Sequence, residues 1–416
     1  MIKKILVSAC LLLSVFTAAQ EGTYSPYSFY GIGDQRFKGT AEFRSMGGVS
    51  IFADSIHVNL QNPASFSALK LTTFTAGGSF STAQLHTETQ QERAQRTTLD
   101  YFAVALPAGK AGFSFGLMPY TSVGYRVTNS SPLVEDRPSV GTFTGTGGVN
   151  RVFLGMGYEI FKNFRAGIDV SYHFGSVDTQ STQTVSGISL STREENNSEI
   201  RGFNTNLGLM YEKMFGKYKG FAGLTYSPQA SLKTDNFRKL QTIQQVVAGD
   251  ILYDEQLIEV PDGELILPSK VAFGVGVGVP LKWEVGAEIT MQGSRNQSNR
   301  FADIRNVAFE DAIKYSIGGF YIPNYNSYAN YLSRMTYRLG GRHEKTGLVL
   351  AGRSIYDTGI TAGVGLPITG TFSNVNIGLE YGKRGTVFNG LIEENYFNVS
   401  IGLSFNDRWF LKRKYD

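Results

Sequence analysis

Cysteine is almost missing from this chain: Cys10 is the only one in 416 residues. A disulfide framework and a cysteine-ligated metal site are therefore excluded. Long hydrophobic runs are missing too. Beyond the first twenty residues no apolar stretch approaches the roughly 20 residues a membrane-spanning helix needs, so helical spans are excluded. Charge of one sign is not in excess. The 39 Lys and Arg stand against 35 Asp and Glu, and a formal charge of +4 on this length does not imply nucleic acid. Histidine is scarce: His57, His86, His173 and His343 are the only four, none pairs at metal-ligand spacing, and no HExxH occurs. The one Gly-x-Ser-x-Gly spacing, Gly112-Phe113-Ser114-Phe115-Gly116, falls inside an alternating strand run and not at a strand-to-helix elbow. The sequence thus carries no constellation for catalysis and implies no cofactor and no metal.

Glycine and aromatics are present in quantity. There are 48 glycines, against roughly 7% in ordinary soluble proteins, and 13% of residues are aromatic. The N-terminus reads as an export signal. Lys3 and Lys4 precede an apolar run from Ile5 to Phe16, and Thr17-Ala18-Ala19 suits cleavage before Gln20. A lipoprotein signal at Val7-Ser8-Ala9-Cys10 would leave too short an apolar region before the cysteine. An exported, glycine- and aromatic-rich chain without helical spans has the composition of a transmembrane barrel: aromatics form interfacial girdles and small residues fit the interior.

Period-two alternation supports the same reading. Phe397, Val399, Ile401, Leu403 and Phe405 alternate with Asn398, Ser400, Gly402 and Ser404. Phe164, Ala166, Ile168, Val170, Tyr172 and Phe174 alternate with Arg165, Gly167, Asp169, Ser171, His173 and Gly175. The glycines of Gly274-Val275-Gly276-Val277-Gly278 fall inside such a run with no helix after it, which suits small lumen-facing residues better than a phosphate loop. Several runs reach the 9–11 residues that cross a bilayer, longer than the usual 5–6 of soluble strands.

About fourteen strands are expected, near 69–82, 98–106, 110–127, 149–160, 164–177, 199–214, 218–234, 267–279, 282–293, 312–322, 329–341, 356–366, 372–383 and 395–405. Short links, such as Pro107-Ala108-Gly109 and Phe161-Lys162-Asn163, alternate with long polar ones near 83–97, 128–148, 178–198, 235–266 and 294–311. Short periplasmic turns and long extracellular loops are the asymmetry of outer-membrane barrels. A short helix over Leu240–Val247 and a helical turn within 304–314 are expected in the loops. The organisation is then a signal peptide at 1–19, an N-terminal hatch at 20–66, an all-β antiparallel barrel at 67–405 and a periplasmic tail at 406–416. The hatch stretch does not alternate and cannot face lipid with unpaired backbone, whereas a lumen of this strand number has room for it.

The run Arg44-Ser45-Met46-Gly47-Gly48-Val49-Ser50-Ile51, then Ala53-Asp54, then Asn62-Pro63-Ala64, resembles the N-terminal segment of the FadL family. Leu267-Pro268-Ser269-Lys270-Val271-Ala272-Phe273-Gly274-Val275 is similar to the start of a mid-barrel strand of that family. The resemblance implies a 14-stranded barrel with an N-terminal hatch, in which a hydrophobic ligand enters from outside and leaves sideways through a gap in the wall. It also implies a second possibility, because the family includes an accessory barrel of a secretion pathway. Fold does not decide between these.

Two functions follow as expectations: passage of hydrophobic or amphipathic small molecules across the outer membrane, or a non-transporting accessory subunit of an assembly or secretion complex. The expected contacts are outer-membrane lipid, a hydrophobic ligand, and protein partners in the outer membrane or periplasm. The candidate residues are the hatch motif Gly47, Gly48, Asn62, Pro63 and Ala64, and a ligand surface of Phe43, Met46, Phe52, Arg151 and Arg165, with Phe29, Tyr30 and Phe37 as further hatch aromatics. Trp409, Phe410, Lys412, Arg413 and Lys414 form a basic, aromatic tail suited to headgroups or to a docking partner. Tyr24-Ser25-Pro26-Tyr27 is expected to be a further contact surface under the accessory reading.

Overall fold

The computed structural model describes residues 23–35, 39–134, 137–246, 249–297, 299–300, 307–327 and 329–409. The expected export signal and Phe37 lie outside the described residues, as do Phe410, Lys412, Arg413 and Lys414. Nineteen strands run in chain order: β1 (Asp34–Gln35), β2 (Thr72–His86), β3 (Gln91–Ala108), β4 (Ala111–Val134), β5 (Arg137–Phe161), β6 (Phe164–Val185), β7 (Leu190–Phe215), β8 (Tyr218–Ser227), β9 (Ala230–Val246), β10 (Gly249–Ile258), β11 (Gly263–Leu267), β12 (Lys270–Val279), β13 (Trp283–Gln292), β14 (Val307–Phe309), β15 (Ala312–Tyr321), β16 (Thr336–Leu350), β17 (Arg353–Pro367), β18 (Asn374–Gly385) and β19 (Glu393–Asp407). Fourteen of them close an antiparallel barrel, sealed where β19 pairs with β2 from Glu393–His86 to Asp407–Thr72.

The alternation has the sense of a membrane barrel. In β6, Ile168, Val170, Tyr172 and Phe174 are exposed while Asp169, Ser171 and His173 are buried. In β19, Phe397, Ile401, Leu403 and Phe405 are exposed while Ser400 and Ser404 are buried. Apolar side chains outside and polar ones inside suit a lipid exterior. A closed fourteen-stranded barrel is the architecture that the resemblance to the FadL family implies.

The strands are longer than expected on one side. β4, β5, β6 and β7 have 24, 25, 22 and 26 residues. At roughly 3.4 Å per residue, β7 spans about 88 Å, far more than a bilayer requires. The stretches read as loops at 128–148, 178–198 and 235–266 are therefore largely sheet, in which the outer halves of β4, β5, β6, β7, β9 and β10 stand side by side. One face of this extension is buried at positions that are mostly polar, such as Thr182, Ser191, Ser198 and Gln241, so no lipid-facing apolar series marks it in the sequence. The helix expected over Leu240–Val247 is strand β9 as far as Val246. Pairing with β7 on one side and β10 on the other overrides its local propensity. The helical turn expected within 304–314 is also replaced, by β14 and the start of β15.

The N-terminal segment from Thr23 to Leu71 lies within the barrel. It holds a 3₁₀ turn at Pro26–Phe29, a short helix at Ala41–Arg44 and a 3₁₀ stretch at Pro63–Ala68. Asn62 caps the last of these by accepting from Ala64 N at 3.1 Å, and Pro63 needs no partner for a missing N–H. Inward glycines let the segment approach the wall. At Gly318 and Gly340 an added Cβ would collide with the Met46 and Gly47 backbone, and at Gly167 and Gly208 with Asn62-Pro63-Ala64. In β12, an added Cβ would lie 2.8 Å from Ile51 Cγ2 at Gly274, and would collide with the Phe221 ring at Gly276 and with Trp283 O at Gly278.

Candidate functional site

The wall is incomplete at one place. β3 and β4 pair only from Ala108–Ala111 to Phe102–Leu117. Beyond that, Gln91–Tyr101 stays with β2, and β4 from Met118 outward pairs with β5. The facing edges of β3 and β4 are thus unpaired with each other. The N-terminal segment occupies the β4 side of this gap. β1 pairs with β4 as Asp34–Ser122 and Gln35–Thr121, and Gly124 N donates to Ser28 Oγ at 3.2 Å. Phe29 packs edge-on against Tyr125 at 5.4 Å, and Ile32 closes an apolar cluster with Val123, Val149, Val177, Ile200 and Leu232.

Polar ties hold the segment elsewhere. Arg384 Nη1 donates to Asp34 Oδ1 at 2.7 Å and Ser25 Oγ to Glu394 Oε1 at 2.5 Å. Arg44 Nη1 donates to Asp100 Oδ2 at 3.1 Å, and Arg300 donates to the Gly31 and Phe29 carbonyls at 2.8 and 3.0 Å. Ser50 donates through both N and Oγ to Glu288 Oε2, at 2.7 and 2.6 Å. Gly47 N donates to Thr361 Oγ1 at 2.9 Å. Gly47 has φ +71°, and an added Cβ would lie 2.7 Å from Gly341 O, so glycine is required there on both counts.

Two internal cavities border the segment. One, of about 160 Å³, is lined by charged groups including Asp34, Lys270, Lys314, Arg342 and Arg384. The other, of about 390 Å³, has Phe43, Met46, Phe52 and Phe320 on its apolar side and Arg165 and Arg338 on its polar side. Arg165 is paired with Glu212 at 3.1 Å. Arg338 is buried, and its Nη1 donates to Asn376 Oδ1 at 2.9 Å. His57 also lines this cavity, with Nδ1 2.6 Å from Asp54 Oδ2. Burial works against charge on both members of that pair. Their mutual attraction outweighs it, raising the imidazole pKa and holding the carboxyl below its ordinary range.

The BamG family profile matches residues 1–416. The chain belongs to the BamG family. No curated protein matches it. Among solved structures it is similar to the CymD monoaromatic hydrocarbon channel, with a TM-score of 0.57, 14% identity, and coverage of 93% of this chain and 99% of that one. The toluene transporter TbuX of Ralstonia pickettii gives 0.57 and 15% over 88% of this chain and 98% of its own. The toluene transporter TodX of Pseudomonas putida gives 0.57 and 15% over 91% and 100%. At this identity the likeness establishes the fold.

Four of the five residues expected at a ligand surface, Phe43, Met46, Phe52 and Arg165, line the larger cavity together. Arg151 is not among its lining residues and lies 5.5 Å over the Phe153 ring in β5. Gly47 and Gly48 sit at the Gly341 wall and in the turn after Arg44, and Asn62-Pro63-Ala64 lies against β6 and β7. Trp409 is exposed at the barrel end, beside Arg408, whose guanidinium lies 5.5 Å over Phe372. Ser25 and Tyr27 are buried against the wall, which removes this part of the Tyr24–Tyr27 contact surface expected under the accessory reading. Sequence reasoning missed Asp34, Arg338 and Arg384. Nothing in local pattern marks them, because their pairing joins positions as much as 350 residues apart. Among the described residues no group of three or more His, Cys, Asp or Glu is arranged to hold a metal ion.

Proposed function

We propose that this barrel passes hydrophobic or amphipathic molecules across the outer membrane, with residues 20–66 acting as a hatch. The observation that carries the reading is the unpaired stretch between β3 and β4, occupied by the N-terminal segment through a β1 of only two residues. Shifting β1 would open a lateral path from lumen to lipid without breaking the barrel's own ladder. The mixed lining of the larger cavity favours a molecule with a polar head: Arg338 and Arg165 face the head and Phe43, Met46, Phe52 and Phe320 take the apolar part. The likeness in fold to a monoaromatic hydrocarbon channel and to toluene transporters agrees with this reading. No catalytic step is part of it.

The mature chain lacks cysteine, so a double substitution Gln35→Cys and Thr121→Cys, at paired positions of β1 and β4, can lock the hatch. Uptake of a fluorescent fatty acid by cells carrying the oxidised barrel should stop and return on reduction. Uptake that ignores the lock would sink the proposal.

A second reading, an accessory subunit of an outer-membrane assembly, is favoured by the tall extracellular sheet of β4 to β10, which a conduit does not need. Extraction in mild detergent tests it. Recovery with another subunit in fixed stoichiometry would support this second reading, and a lone barrel would remove it.

A further inference from the structure

β10 is an edge. It pairs antiparallel with β9, and among the described residues no strand pairs along its other side. Nine of its ten residues are exposed, including Ile251, Leu252, Tyr253 at 60% and Leu257 at 65%. Lipid does not account for this. Ile258, the end of β10 nearest the membrane, is level with Arg238 of β9, which is level with Asn196 of β7. Asn196 lies seven positions outward of Phe203, the outermost exposed aromatic of β7. At roughly 3.3 Å per residue, β10 begins about 23 Å beyond the lipid-facing band.

Exposed strand edges invite another chain, and proteins blunt them with lysine, proline, bulges or a cover. β10 has no lysine and no proline. Its one irregularity is the register shift between Leu252 and Asp254, after which Asp254–Ile258 runs in unbroken register. The edge is also acidic. From Gly249 to Ser269 the chain has Asp250, Asp254, Glu255, Glu259, Asp262 and Glu264, and no Lys, Arg or His. Arg193 faces Asp250, and Lys239 lies 3.4 Å from Glu255. No partner within the described residues answers Asp254 or Glu259.

We propose that the free edge of β10 is a docking site for an extended segment of another cell-surface protein, added as one further strand, with Lys or Arg alternating with apolar residues. Main-chain hydrogen bonds would supply affinity, and Tyr253, Leu257 and the acids would supply selectivity. A second copy of this chain fits poorly, because pairing β10 with itself sets one run of acids against another.

The test places a photo-crosslinking amino acid at Leu257 of the full-length barrel in living cells. The expected product is one adduct with a second protein, mapped by mass spectrometry to a basic, extended segment. The double variant Asp254→Lys and Glu255→Lys should reduce that adduct about tenfold through like-charge repulsion, with the barrel still folded by its heat-modifiable gel mobility. In vitro, an alternating Lys–Ile peptide of about eight residues should bind the purified barrel at least about tenfold more tightly than its Glu–Ile counterpart, and less tightly as salt rises. An adduct of twice the barrel's mass, an adduct with lipopolysaccharide alone, or the absence of any adduct would overturn the proposal. Equal binding of the two peptides would overturn it as well.

Discussion

Arg384 and Asp34 join the barrel wall to the strand that occupies its gap. Arg384 Nη1 donates to Asp34 Oδ1 at 2.7 Å, and the same guanidinium lies 5.0 Å over the Tyr27 ring. One cation thus holds the N-terminal segment at two points, one within the 3₁₀ turn Pro26–Phe29 and one beyond it. β1 has only two ladder positions with β4, and this ion pair adds a side-chain tie to that short ladder.

Removing the cation should loosen the segment without dismantling the barrel. Arg384→Ala is expected to raise the conductance or the frequency of open events in planar bilayers, and Asp34→Asn should do so to a smaller degree. A variant as silent as the parent would show that the gap is closed by other means.

The fit between Met46–Gly47 and the wall predicts a steric effect. Gly318→Val or Gly340→Val would drive a side chain into the Met46 and Gly47 backbone. Overpacking of this kind costs about 1–3 kcal/mol. The unfolding midpoint in detergent should fall, and protease should reach the segment more readily. The same substitution at Gly352, which strains a turn at φ +75° but meets nothing of the segment, should leave the segment protected.

Arg342 is buried among partners. Its Nη1 lies 3.1 Å from Asp357 and its Nη2 2.7 Å from Glu380, and Nη2 also donates to Tyr396 OH at 2.6 Å. Arg342→Met would leave two buried carboxylates without their cation, a loss of about 3–5 kcal/mol by precedent. Neutralising them together, as Arg342→Met with Asp357→Asn and Glu380→Gln, should restore most of that stability in urea titrations. Failure of the triple variant to recover would mean that the network is needed for its shape and not for its charge balance.

His57 and Asp54 give the segment a pH dependence. Folding raises the His57 pKa, so its contribution is complete below the ordinary imidazole value of about 6.5 and is lost as pH rises through the raised value. Folding lowers the Asp54 pKa, so its contribution is present above the ordinary carboxylate value and is lost as pH falls through the lowered one. The tie is strongest between these limits. Proteolysis near residues 55–71 should therefore speed up on the alkaline side, at about pH 9 compared with about pH 6, and His57→Gln should abolish the difference.

The membrane part of the fold was legible because lipid imposes a rule on every strand that crosses it. Phe397 to Phe405 and Phe164 to Phe174 display that rule directly, and most crossings fall where the alternation places them; the strand expected over 329–341 does not, because Tyr331–Arg334 is a short helix and β16 runs from Thr336 to Leu350, and the one expected over 218–234 breaks after Ser227. The extracellular sheet was not legible. Its strands stand beyond the lipid, so Leu240–Val246 is mostly polar, and the two buried positions Gln241 and Ile243 are too few to set a period that distinguishes strand from loop or helix. At the candidate site, Phe43, Met46 and Phe52 stood out as aromatics and methionine in a non-alternating stretch, and they do converge. The partners that fix them did not stand out. Asp34 with Arg384, Ser25 with Glu394 and Ser50 with Glu288 are joined only when the barrel closes, and no local spacing encodes such pairs.

The N-terminal segment runs straight into β2, and β2 is one side of the seam that completes the ring. Met46 and Gly47 rest on Gly318, Gly340 and Gly341 with no space for even a methyl group at the first two. Connectivity then predicts that the segment takes its place before β19 reaches β2, so that the residues preceding the first strand of the ring wait inside the joint that forms last.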